Sequence, residues 1–168
     1  MTTTHRRSSR RRRDTPPPST GLGEKEVLLG FLDYLRGSIA AKIEHVPEPQ
    51  VRTPGVASGT NLLGLVKHLT SVERYTFLGE KVADWQATFQ PTPDDTVETV
   101  LTAYRDTAAQ VNELLADCDD LTAPVNRRAS SGRPPSLRWA LTHLIEETGR
   151  HAGHADILRE LIDGSTGR

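Results

Sequence analysis

Apolar residues recur at three- and four-residue steps along four separate stretches of this 168-residue chain, and no stretch alternates apolar with polar as a half-buried strand does. That period limits the fold to packed amphipathic helices, and it predicts an all-α four-helix bundle. In the first stretch, residues 24–44, Val27, Leu28, Phe31, Leu32, Leu35, Ile39 and Ile43 predict a single buried face. The second, residues 60–83, repeats the pattern with Leu62, Leu65, Val66, Leu69, Val72, Tyr75 and Leu78, behind Thr60 as the expected N-cap. Thr92-Pro93-Asp94-Asp95 reads as the opening of the third, with Thr92 as cap, proline at the first helical position and acids in the first turn. Its stripe is Val97, Val100, Leu101, Tyr104, Ala108, Val111, Leu114 and Leu115. Ser136 caps the fourth stretch and Gly164 stops it.

The fourth stripe carries the chemistry. Leu137, Ala140, Leu141, Leu144, Glu147, His151, His154 (or Ala155) and Leu158 share one inward face, apolar at both ends and ionisable in the middle. Burying a carboxylate or imidazole without a partner is costly. Glu147 and His151 are one helical turn apart, so both can reach one cation. His68 stands three residues after Leu65 and four before Val72, inside the second stripe. A lone histidine there would more often be a hydrogen-bonded core residue. Two buried polar half-sites on different helices, however, are best explained by each other. His68, Glu147 and His151 together make a two-histidine, one-carboxylate set that suits zinc first, and also nickel, iron(II) or manganese. His154, one turn beyond His151, reads as a fourth ligand or a proton shuttle, and His143 as a residue behind the ligands or facing solvent.

Composition bounds the alternatives. Six of the 21 basic residues and one of the 22 acids lie in the first 20 positions, leaving 15 against 21, so the folded body is acidic and offers no nucleic-acid surface. Residues 1–22, rich in Arg and Pro, read as a disordered tail before a bundle of residues 23–164, with 165–168 a short C-terminal tail. One cysteine, Cys118, makes neither an internal disulfide nor a cysteine-based zinc site. No apolar run approaches the roughly 18 residues of a membrane span, and no apolar segment follows the arginines as in a secretory signal. A cytoplasmic location, a small-molecule substrate and no membrane partner are expected, with a homodimer left open. Arg127, Arg128 and Arg133 belong to an irregular segment where they are either solvated or placed at a pocket mouth to hold an anionic substrate.

Two segments carry a family resemblance: Asn61-Leu62-Leu63-Gly64-Leu65-Val66-Lys67-His68-Leu69, and Glu146-Glu147-Thr148-Gly149-Arg150-His151-Ala152-Gly153-His154-Ala155-Asp156-Ile157-Leu158-Arg159-Glu160. They resemble the DinB/YfiT-like superfamily, and most closely its mini-circle protein branch, a domain of unknown function. The resemblance spans residues 23–164. It implies a four-helix bundle whose metal is held by a histidine of the second helix and two ligands of the fourth. Many superfamily members have a third histidine where this chain has Glu147. The Glu-then-His order is instead similar to the mycothiol-dependent maleylpyruvate isomerase. The resemblance therefore implies His68, Glu147 and His151 as ligands and a low-molecular-weight thiol such as mycothiol as cofactor, while His154, by its position one turn beyond His151, is the expected catalytic residue. Thiol S-transfer to a small electrophile, or thiol-assisted isomerisation, is the implied chemistry. A non-catalytic, stress-related or binding bundle with a vestigial metal site is the alternative.

Overall fold

The structure, a computed structural model, describes residues 15–19, 21, 23–126 and 132–167. Four α-helices make up the bundle: α1 (Glu24–Ile43), α2 (Leu62–Glu73), α3 (Val97–Ala116) and α4 (Leu137–Asp163), with no strand among the described residues. Each expected helix is present. α1 lies chiefly along α4 and α2 chiefly along α3, while α2 also touches α1 and α4. None of the described helices is long and apolar enough to cross a membrane.

α2 is the central element. Leu62, Leu63, Leu65, Val66, Leu69 and Val72 are buried, as a helix apolar nearly all round must be. Asn61, not Thr60, caps it: the Asn61 side chain accepts the Gly64 N–H at 2.8 Å. The helix does not continue to Ala83 either. It ends at Glu73, passes into a π-helical turn over Arg74–Leu78, and stops at Gly79, whose φ of 70° is left-handed.

α3 also starts later than its acidic preface suggests. Thr96 is the N-cap and accepts the Thr99 N–H at 3.1 Å. Asp95 is occupied elsewhere: its carboxylate accepts from Thr92 N–H at 2.6 Å and from Lys67 at 2.7 Å, which holds residues 92–95 as a separate turn. In α1, Val27 and Phe31 are exposed, and Arg36 takes an inward place instead. Residues 1–14, which carry the arginine run of the expected tail, lie outside the described residues. Pro18, in its described part, sits over Gly30, where an added Cβ would come within 3.3 Å of it.

The apolar interior divides into two cores. Ile39, Ile43, Val51, Leu62, Val66, Tyr104 and Leu158 belong to one, and Leu32, Phe77, Val111, Leu115, Leu141 and Leu144 to the other. Where the two cores meet lies a group of buried polar residues: Arg36 on α1, Thr107 on α3, Thr148 and His151 on α4, and, on either side of the junction on α2, His68 and Glu73. The candidate site is one side of this group.

Candidate metal centre

His68 and His151 are 5% and 7% exposed, and Glu147 is half-buried between them. One carboxylate oxygen, Glu147 Oε1, lies 3.3 Å from His68 Nε2 and 3.1 Å from His151 Nε2. The three ligand atoms are all within 4.8 Å of one another. The residues singled out on α2 and α4 therefore converge on a single point. They do so at the floor of a cleft of about 380 Å³ whose other walls include Tyr75, Trp85, Phe89, His143 and Arg150.

The hydrogen-bond directions test whether a cation fits. Thr88 Oγ1 donates its only proton to the Trp85 carbonyl at 2.6 Å, so it can only accept from His68 Nδ1, 2.7 Å away. His68 is then protonated on Nδ1, and its Nε2 presents a lone pair toward a carboxylate oxygen. Two acceptors face each other at 3.3 Å, an arrangement that a shared cation resolves. His151 Nδ1 is buried with no partner among the described residues, so the hydrogen bonding of that imidazole is incomplete. The donor set, two imidazole nitrogens and a carboxylate oxygen, is one that divalent metals accept.

Ionisation points the same way. Burial pushes His68 and His151 below their ordinary value, outweighing the carboxylate that would raise them. Burial opposes ionisation of Glu147, but the two imidazoles beside it bring its carboxyl below the ordinary value. At neutral pH both imidazoles are uncharged and the carboxylate is ionised, the states that metal binding requires.

The remaining candidates are placed differently. His154 is exposed while Ala155 takes the inward position, and the His154 ring stands 5.6 Å from that of His151 beside a neighbouring cavity. His143 lines the cleft itself, its Nδ1 3.7 Å from Glu146 and its ring against Trp139. Arg127 and Arg128 lie outside the described residues, and Arg133 is exposed and is not among the cleft residues. The cleft's own cation is Arg150, paired with Glu146 at 2.7 Å. Sequence reading gave Arg150 no role, although its place three residues after Glu147 puts it on the adjoining face.

An all-α bundle with a buried two-histidine, one-carboxylate constellation spanning α2 and α4 defines the class: a DinB-like helical bundle. Within that superfamily the chain matches the mycothiol-S-transferase family over residues 27–164, and it belongs to that family. No curated protein is significantly similar to the chain.

Proposed function

We propose that the protein holds one divalent metal ion, zinc in the first instance, on His68, Glu147 and His151, and transfers a low-molecular-weight thiol, mycothiol by the family's name, to a small electrophile bound in the cleft. The observation that carries this reading is the position of Glu147 Oε1, 3.3 and 3.1 Å from two imidazole nitrogens at the floor of a cleft of about 380 Å³. A divalent cation there supplies the positive charge that keeps a thiol deprotonated and nucleophilic.

The chain's own residues supply the rest. Tyr75, Trp85 and Phe89 form aromatic walls that exclude water and seat an apolar electrophile. Arg150 places a positive charge at the wall for an acidic group on either substrate. Proton traffic is assigned to His154, an exposed imidazole next to His151 that can pass the thiol proton to solvent. His143, on the cleft wall, is the second group placed to move a proton.

The test is a thiol-consumption assay with mycothiol and a panel of small electrophiles, products being weighed by mass spectrometry. Chelator-sensitive formation of the thioether, lost in Glu147→Gln, is expected. A rate indifferent both to chelator and to Glu147→Gln would sink the proposal.

A further inference from the structure

The connection from α2 to α3 has no helical period, yet one short piece of it is fastened tightly against His68. Asp84 Oδ1 accepts the backbone N–H of Gln86 at 2.8 Å and closes the start of a 3₁₀ turn over Ala87–Phe89. Lys67, the residue before His68, donates to the Gln90 carbonyl at 3.0 Å and holds the far end. Between these anchors Thr88 meets His68 Nδ1, and the Phe89 ring stacks on the imidazole at 3.7 Å and 14°.

The seat for this strap is Gly64, one turn before His68 on α2. A Cβ at Gly64 would lie 2.1 Å from the Phe89 carbonyl oxygen, a backbone atom that cannot swing aside. Only glycine lets the strap come so close. Sequence position 64 is thus spent on backbone approach, not on helix propensity.

We propose that this strap is a positioning device for the metal centre, with Thr88 its positioning residue, holding His68 in the Nδ1–H tautomer so that Nε2 stays a bare donor. The inference rests on the metal reading of the triad. Its physical content is a competition. Were the Nδ1 proton to lose its acceptor, the ring would gain more from the Nε2–H tautomer, donating to Glu147 Oε1 at 3.3 Å. His68 would then leave the donor set and neutralise the carboxylate's free lone pairs as well. Thr88 prevents this because its own proton is committed to the Trp85 carbonyl. Partners of this kind typically change metal affinity by about 10- to 100-fold.

Two measurements test it on the full chain. The first is nitrogen-15 NMR of the imidazoles in metal-free protein at mildly alkaline pH. His68 should be protonated on Nδ1 in the wild type, on Nε2 in Thr88→Val, and on Nδ1 again in Thr88→Ser. The second is zinc affinity by competition with a chromophoric chelator. Thr88→Val and Gly64→Ala should weaken it by about 10- to 100-fold, while Thr88→Ser stays within about threefold of wild type. Wild-type protein with His68 in the Nε2–H form overturns the proposal, and that result needs no variant to fold. So does a folded Thr88→Val with unchanged tautomer and affinity. If the tautomers follow the prediction but wild-type protein takes up no zinc, the strap stands and the metal reading fails.

Discussion

Two polar clusters are buried near the junction of this bundle's two cores, both touching α2, and they are built on opposite rules. Arg36 and Glu73, 4% and 0% exposed, form a bidentate pair at 2.8 and 2.5 Å. The remaining guanidinium nitrogen donates to Asp33 at 2.7 Å and Asn112 at 2.8 Å. Each charge there has its opposite, and the donors are directed onto acceptors. The cluster of His68, Glu147 and His151 is left open: the His68 Nε2 lone pair faces a carboxylate oxygen, and His151 Nδ1 has no partner among the described residues. The closed polar cluster is complete within the fold, whereas the open one lies at a cleft and would be completed by the proposed metal ion.

The largest expected effect comes from breaking the closed cluster. Glu73→Ala leaves the buried Arg36 with only the exposed Asp33 carboxylate against it, and denaturant unfolding should show a loss of about 3 kcal/mol. Glu147→Ala in metal-free protein should cost less, about 1 kcal/mol, because Glu147 is half-buried and its removal strands no charged partner. Equal losses would erase the distinction between the clusters.

A second contrast belongs to the proposal, between three residues that would hold the metal and His154, which would move protons. His154→Ala should keep the metal yet slow turnover by about 100-fold, within the usual range for a lost acid–base group. Loss of metal in that variant would make His154 a ligand instead.

The pH dependence separates the clusters more gently. His68 and His151 titrate below their ordinary value of 6.5, so the unfolded chain binds more protons than the folded one as pH falls through that value. Metal-free protein should therefore lose stability as pH drops below 6.5, and the double variant His68→Gln/His151→Gln should lose less. Glu147, held below its ordinary 4.5, adds a further loss only under that pH. Chemical denaturation midpoints across this range measure both steps, and identical slopes for the two proteins would contradict the assignment.

How much of this was legible in the sequence follows from what each interaction depends on. Helical period alone exposed the four helices, because each must bury one face. It also exposed His68, Glu147 and His151, as ionisable residues interrupting otherwise apolar stripes. Arg36 and Glu73 escaped, because charged residues at stripe edges normally reach solvent and nothing local says that two from different helices will pair. The end of α2 was misplaced because apolar residues continue through Leu78 while the backbone widens into a π turn. Thr92 and Thr96 both look like caps, and only the hydrogen bonds claiming Asp95 decide between them. The strap left no periodic trace at all. Its one signal, a glycine at position 64 inside a helix, acquires meaning only when the Phe89 carbonyl is seen above it.

The smallest expected effect concerns the chain's start. Deleting residues 1–14 should shift the melting temperature by no more than about one or two degrees, as for surface changes remote from packing. Deletion through residue 20 also removes Pro18 from Gly30 and should cost slightly more. A large loss from the shorter deletion would show that the arginine run takes part in the fold.

The most direct test of the central claim is a zinc titration of chelator-treated protein, wild type beside His151→Ala, with helical content followed by circular dichroism. One equivalent bound by the wild type and none by His151→Ala, both fully helical, is the predicted result. Wild-type protein that takes up no stoichiometric metal, or a His151→Ala variant that binds one equivalent as tightly, would contradict it.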